Sequence, residues 1–264
     1  MTWTKKEFPT IPGYDTLGDN PAAKFWVAQQ LNQWLDKADP VAEFASELKI
    51  REHACKFVIE KFDYPLIRGI PTDKHVNNWF SGMECYQISL DYWQPASETL
   101  RTLMLSQKKE GPAGLGMGDC EDTSIALVAL FLEKGWKGME CLGAVYENGQ
   151  LLGGHGWSIF QDEDGRWRIY ESTLDEAPEY PSGYPLISPA DNDWQVGGIT
   201  YHADAKFDRT DYFEWGEAVT LGRYLAIPSR LKETRAKYQA IERAWRVRTK
   251  PIRQAGFMSK IRWR

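Results

Sequence analysis

Three short segments of this 264-residue chain carry side chains suited to covalent chemistry: Gly118-Asp119-Cys120-Glu121-Asp122, Gly153-Gly154-His155-Gly156-Trp157 and Tyr170-Glu171-Ser172-Thr173. A cysteine nucleophile needs a thiolate, a base close by and a third group to orient that base. Asp119 can cap the apolar run that follows it, which puts Cys120 at a helix N-terminus. There, unpaired N–H groups favour a thiolate and can stabilise an oxyanion. Asp119, Glu121 and Asp122 act the other way, because neighbouring carboxylates disfavour a further negative charge. A nearby imidazolium must therefore supply most of the activation. His155 is the candidate, with glycines on both sides keeping bulk away from it.

Glu171, on the next strand, is the candidate acceptor for the His155 ring N–H, and strand register tests the idea. A two-residue turn at Asp164-Gly165 puts His155 and Glu171 on opposite faces. A three-residue loop with a bulge pairs 162 with 166 and 157 with 171, leaving His155 diagonal to Glu171 on one face. The catalytic reading thus requires the odd-length loop. Each residue alone has a plainer role: a core thiol at Cys120, a satisfied strand histidine at His155, a partner for Arg166 or Arg168 at Glu171. The ordered combination is what favours catalysis.

The elements around these segments follow from periodicity and turn chemistry. Residues 1–19, with Pro9, Pro12, Gly13 and Gly18, read as an irregular arm. Asn20-Pro21 opens a helix with Phe25, Trp26, Leu31 and Trp34 on its apolar face. Asp39-Pro40 starts another that runs to about Phe62, and Gln94-Pro95 a shorter one through Leu103. After Asp119, apolar residues occupy almost the whole circumference up to Gly135, the mark of a central buried helix. Strands then follow at about 139–147, 151–161 and 166–173, divided by the hairpin signals Glu147-Asn148-Gly149-Gln150 and Asp162-Glu163-Asp164-Gly165. Helix followed by antiparallel meander argues an α+β fold. Residues 176–220 show no readable periodicity. After Pro228, Leu231, Thr234, Tyr238, Ile241 and Trp245 form a narrow seam suited to docking on one partner helix. The domain reading is an arm at 1–19, one enzyme-like domain at 20–228, and a basic helix and tail at 229–264.

Composition bounds the class. With 42% hydrophobic and 26% charged residues, the chain is neither disordered nor a disulfide scaffold. No apolar run approaches the ~20 residues that span a bilayer, and no signal-peptide h-region is visible, so a cytoplasmic location is expected. Cys55, Cys85, Cys120 and Cys141 form no CxxC pair, and His53, His75 and His202 have no metal-ligand spacing, so core thiols and structural histidines are expected beside Cys120 and His155. The net charge of −5 hides an asymmetry: residues 229–264 hold 12 Lys and Arg against two acids, a net +10, and the rest of the chain is −15. Nucleic-acid binding by that basic tail has charge in its favour and no motif. Docking on an acidic protein surface, or on another copy of the acidic body, suits the charge equally.

At the three segments the sequence resembles the transglutaminase-like cysteine-enzyme superfamily, particularly its bacterial transglutaminase-like cysteine proteinase branch. That family has Gly-Asp-Cys-Glu/Asp-Asp at a helix start, a His-Gly/Ala-Trp strand about 35 residues on, and Asp or Glu on the next strand. The upstream run Tyr92-Trp93-Gln94-Pro95-Ala96-Ser97-Glu98-Thr99-Leu100 resembles the aromatic-Pro-Glu-Leu stretch of relatives. The resemblance covers residues 85–175, and the third member is more often Asp than Glu. It implies a papain-like core, with a buried helix carrying the cysteine packed on an antiparallel sheet. It also implies a Cys120–His155–Glu171 triad and acyl transfer on amide bonds through a thioester, as in a thiol peptidase, amidase or transglutaminase acting on a protein or peptide. Trp93, Gln94 and Trp157 become oxyanion or substrate candidates by that analogy. No cofactor is implied. Some exported relatives bind calcium beside the cysteine, which marks Glu121 and Asp122, although these two alone do not establish a site. A reading of a different class also stands: a structural or assembly protein of a larger complex, such as a virus particle, with a vestigial triad and with its arm and basic tail as joints.

Overall fold

The computed structural model describes residues 1–11, 29–63, 95–108, 116–216 and 231–246. Near the N-terminus lie short strands β1 (Trp3–Lys6), β2 (Thr10–Ile11) and β3 (Gln29–Gln30), with a 3-10 turn at Leu31–Trp34. Helices α1 (Asp39–Glu47) and α2 (Arg51–Lys61), strand β4 (Phe62–Asp63), helix α3 (Ala96–Lys108) and strand β5 (Gly116–Met117) lead to α4 (Cys120–Glu133). The strands β6 (Gly138–Glu147), β7 (Gln150–Gln161), β8 (Trp167–Tyr170), β9 (Asp193–Val196), β10 (Ile199–Phe207) and β11 (Tyr212–Trp215) follow, then α5 (Leu231–Arg246). The fold is α+β. Its main sheet runs β1-β11-β10-β6-β7-β8, with β9 paired to β10, and every pairing in it is antiparallel.

Helix α4 is the centre, as its all-round apolarity requires. Every residue from Cys120 to Phe131 is buried, and the helix packs on β6 and β7 and against α1, α2 and α3. Asp119 caps it with a reciprocal box: its carboxylate accepts the Asp122 N–H at 3.4 Å, and the Asp122 carboxylate accepts the Asp119 N–H at 3.3 Å. Gly135, at φ 71°, carries the chain away from its other end.

Two hairpins set the sheet's register. Asn148 (φ 51°) and Gly149 (φ 80°) make the two-residue turn between β6 and β7. A bulge then shifts the ladder between Val145 and Tyr146, so that His155 pairs with Gly143. Between β7 and β8 the loop has the odd length the catalytic geometry requires. Ser158 pairs with Tyr170 and Gln161 with Trp167, and the Asp162 N–H donates to the Arg166 carbonyl at 2.9 Å. The Asp162 carboxylate holds this loop, accepting the Asp164 N–H at 3.0 Å, the Arg166 N–H at 2.9 Å and Arg168 Nε at 2.6 Å.

Elsewhere the fold departs from local expectation. Residues 3–6 of the irregular arm form an edge strand, because β11 offers them an unpaired edge: Trp3 pairs with Trp215 and Lys6 with Tyr212. The described part of the helix expected from Asn20-Pro21 is β3 and the 3-10 turn, and the rest lies outside the described residues. The helix expected from Asp39 to Phe62 breaks at Leu48–Ile50, where the backbone is extended at both caps, and burial divides between two helices. The unassigned 176–220 region supplies β9, β10 and β11. Among the described residues, α5 packs on β7 and β10 of the sheet, with Tyr238, Ile241 and Trp245 of the seam buried, where a partner helix was expected. No helix among the described residues is long and apolar enough to cross a membrane.

Candidate active site

The register delivers His155 to Glu171. His155 Nε2 and Glu171 Oε2 lie 2.7 Å apart, and both side chains are fully buried. Glu171 is held by more than the histidine. Its Oε1 accepts the Thr173 N–H at 3.1 Å and the Thr173 hydroxyl at 2.6 Å, and its Oε2 accepts the Tyr201 hydroxyl at 2.9 Å. Burial pushes this carboxyl up, but the charge and hydrogen bond of His155 and the bonds from Thr173 together hold it below the ordinary glutamate range. An ionised Glu171 makes Nε2 the protonated ring nitrogen, so in a neutral imidazole Nδ1 carries the free lone pair. Nδ1 is buried and has no hydrogen-bond partner among the described residues. Arg166 and Arg168, the alternative partners for Glu171, pair instead with Asp162 and Asp164 in the β7–β8 loop.

Cys120 occupies the first position of α4 and is 3% exposed. Its thiol donates to Glu121 Oε2 at 2.7 Å rather than to His155. Burial pushes the thiol well up, and the Glu121 charge and hydrogen bond add to this. The Lys237 charge acts in the opposite direction. The Tyr238 ring, from α5, packs edge-on to the His155 imidazole, centroids 5.9 Å apart. Burial raises Cys55 and Cys141 as well. Cys120 differs from them by its helix-start position and its polar neighbours, not by depth.

A second buried acid lies beneath the helix start. Glu140 on β6 is fully buried, and burial pushes its carboxyl well above the ordinary range, which favours the neutral acid. Ser124 Oγ is 2.5 Å from Glu140 Oε1 and 2.6 Å from the Cys120 carbonyl oxygen. One hydroxyl proton cannot serve both acceptors. A neutral Glu140 resolves this by donating to Ser124, whose proton then goes to the Cys120 carbonyl. The chain Glu140–Ser124–Cys120 carbonyl thus ties the backbone of Cys120 to the sheet. Thr123 adds a tie to the Glu171 segment through the Ser172 hydroxyl at 2.7 Å. Gly156 permits the close approach of helix and strand, since a Cβ there would lie 2.9 Å from Glu121 Cγ and 3.1 Å from Glu121 Cα.

Of the remaining candidates, Trp157 is fully buried against His155, Tyr201 and Trp194, and backs the imidazole. Trp93, Gln94, Cys85 and His75 lie outside the described residues. Asp119, Cys120 and Glu121 bring potential ligand atoms within 4.8 Å of one another. Calcium takes six to eight oxygen ligands. Here one of the three donors is sulfur, Asp119 and Asp122 are engaged in the capping box and Glu121 accepts the thiol, so the donor set does not fit that ion. Lys237, Tyr238, Tyr201 and Glu140 were not distinguished by sequence reasoning. None sits in a short motif, and only the docking seam hinted at Tyr238.

No protein-family profile and no curated protein matches the chain. Two solved structures of LapG from Legionella pneumophila are similar to it in chain path. One, from EGTA-treated protein, is 13% identical with a TM-score of 0.30 over 78% of this chain and 95% of that one. The other is 14% identical with a TM-score of 0.30 over 76% and 96%.

Proposed function

We propose that this protein is a cysteine-dependent acyl-transfer enzyme acting on amide bonds, with Cys120 as nucleophile, His155 as general base and acid, and Glu171 as the group that orients His155. One observation carries the reading: a buried imidazole has Nε2 bound to an ionised carboxylate and an open lone pair on Nδ1, and its strand packs at Gly156 against the helix start that bears the thiol. Little else uses that arrangement. A histidine present only to fill the core gains nothing from a dedicated carboxylate on one nitrogen and no partner on the other.

The reaction proceeds by turning the thiol from Glu121 toward Nδ1, which takes its proton. The imidazolium formed is compensated at Nε2 by Glu171. The thiolate attacks the amide carbonyl carbon. The C–S bond forms as the C=O electron pair moves to oxygen, and the Cys120 N–H is the natural oxyanion donor, since the Asp119 cap engages the Asp122 N–H instead. Collapse of the tetrahedral intermediate breaks the C–N bond, and His155 returns the proton to the departing amine. The thioester is then resolved by water or by an acceptor amine, with His155 again removing the nucleophile's proton. No step needs a metal. Treatment of the full chain with iodoacetamide at neutral pH tests the assignment. Cys120 alkylates ahead of Cys55, Cys85 and Cys141, and His155→Ala removes the preference. Alkylation of all four only on unfolding refutes it.

A further inference from the structure

Helix α5 belongs to the strongly basic C-terminal stretch, yet a side chain near its end reaches the carboxylate of the site through consecutive hydrogen bonds. Trp245 Nε1 donates to the Tyr201 hydroxyl at 2.9 Å, and that hydroxyl donates to Glu171 Oε2 at 2.9 Å. Trp245, Tyr201 and Glu171 are all fully buried. Both outer members of this chain are held by backbone. Tyr201 lies on β10, paired with Val145 of β6 on one side and Trp194 of β9 on the other, and its ring packs edge-on to Trp157 with centroids 5.2 Å apart. Beside Trp245, Gly197 (φ 58°) lets α5 come close, since a Cβ there would lie 2.9 Å from the Ala244 carbonyl oxygen. Further up the helix, Arg243 pairs with Glu147 at 3.1 Å and Lys237 Nζ donates to the Gly154 carbonyl at 2.6 Å. The Trp245 ring also meets Tyr184 edge-on, centroids 6.3 Å apart.

Donor and acceptor chemistry leaves the chain a single direction. An indole N–H only donates, so the Tyr201 oxygen must accept from Trp245. The hydroxyl has one proton, and Glu171 Oε2 takes it. A hydroxyl turned to accept from a protonated Glu171 would leave its own proton unpaired in a dry core, which is costly. Oε2 therefore faces the Tyr201 hydroxyl from β10 and His155 Nε2 from β7, the latter at 2.7 Å, while Oε1 accepts both Thr173 donors. All of them favour the ionised carboxylate. Burial opposes them, and Glu140 on β6, an acid within electrostatic reach, is itself pushed toward the neutral form. A protonated Glu171 would donate to Nε2 and move the ring proton to Nδ1. We propose that Tyr201 and Trp245 are positioning residues: Trp245 orients the Tyr201 hydroxyl, which holds Glu171 ionised against the Nε2 proton and so keeps Nδ1 of His155 bare. The use of that bare nitrogen, to take the thiol proton, rests on Cys120 being the nucleophile.

The test follows the His155–Glu171 pair itself, in the full chain with isotope-labelled histidine and a thermal melt for each protein. Ring-nitrogen chemical shifts give the pH midpoint at which the pair takes up a proton at Nδ1, with the His155 signals assigned by their absence in His155→Gln. Tyr201→Phe raises that midpoint by about one pH unit or more, the tenfold gain in proton affinity that loss of a hydrogen bond to a charged group produces. Trp245→Phe raises it by about half a unit, since the hydroxyl remains but is free to turn. Cys120 alkylation by iodoacetamide falls off in acid at the same raised midpoints. Tyr184→Phe removes a buried hydroxyl beside Trp245 that has no partner among the described residues, and it leaves the midpoint in place. If Tyr201→Phe does not fold because the indole N–H is stranded, Tyr201→Phe combined with Trp245→Phe removes donor and acceptor together and carries the test. An unmoved midpoint in folded Tyr201→Phe or Trp245→Phe overturns the proposal. So does an equal rise in Tyr184→Phe, which would mean a general loosening beneath α5. If Cys120 of the parent chain does not react ahead of Cys55, Cys85 and Cys141, the nucleophile assignment fails, and the midpoints alone decide the roles of Tyr201 and Trp245.

Discussion

Replacing Glu171 by glutamine keeps the side chain's shape but removes its charge and one of its two acceptor atoms. Four donors converge on the native carboxylate: His155 Nε2, the Tyr201 hydroxyl, the Thr173 N–H and the Thr173 hydroxyl. The Thr173 N–H belongs to the backbone and cannot reverse, so the amide oxygen takes the Oε1 position. The amide NH2 then faces His155 and Tyr201. Tyr201 can rotate its hydroxyl to accept, but the imidazole can accept only by moving its proton from Nε2 to Nδ1. That is the nitrogen that must be bare to receive the thiol proton. The wrong tautomer, with the lost compensation of the imidazolium, costs about 3–5 kcal/mol of activation, a fall of about 10²–10⁴ in rate. Alkylation of Cys120 and acyl transfer to any amide substrate should fall together. The fold should survive, because both Thr173 donors keep their acceptor and the amide NH2 finds acceptors in His155 and Tyr201. The stability profile changes in a specified direction. A carboxyl held below its unfolded pKa contributes stability above that pKa and loses it as pH falls through the folded value, so the variant's stability should be flatter on acidification than the parent's. Parent-like alkylation at neutral pH in a folded Glu171→Gln protein would refute the tautomer argument and the orienting role with it.

Glu140 gives the opposite sign. Its folded pKa is raised, so stability is lost as pH climbs from the unfolded carboxyl value toward the folded one, by about 1.4 kcal/mol for each pH unit crossed. Glu140→Gln, which can still donate to Ser124, should melt higher than the parent at neutral pH, with the gap closing toward about pH 4 in calorimetry; a variant less stable than the parent at neutral pH would show that Glu140 is buried as a charge. Gly143→Ala tests the ladder behind the histidine. Its Cβ would lie 2.0 Å from the His202 carbonyl oxygen and 3.0 Å from Ala203 Cα, so β6 and β10 must separate. Urea denaturation should register a loss of about 1–3 kcal/mol or more, and a change under about 0.5 kcal/mol would place the strands further apart than the structure has them.

Much of the site was legible because its causes are local. Asp119 before an apolar run makes a helix start, whatever packs on it. The loop of Asp162–Arg166 has its length and bulge from its own Asp and Gly residues, and the period of two along a strand then carries His155 and Glu171 to one face. The α+β class follows from the same order of helix and hairpins. The edges resisted, since a strand such as Trp3–Lys6 exists only because β11 has an open side, and nothing in four residues announces a partner more than two hundred positions away. The break at Leu48–Ile50 and the strands within 193–215 likewise answer to packing rather than to propensity.

Sequence by itself determined which side chains can do chemistry here: a thiol at a helix N-terminus, an imidazole on a strand and a carboxylate on the next, tied by short-range backbone geometry that works over a few residues. Only the tertiary structure decided how those groups are held. The thiol is hydrogen-bonded to Glu121, burial pushes Glu140 toward the neutral acid beneath the helix start, the Tyr201 hydroxyl is shared between Glu171 and Trp245, and Lys237 and Tyr238 arrive from a helix more than a hundred residues downstream. Burial and long-range charge are properties of the whole packed molecule, and they set the protonation of each group.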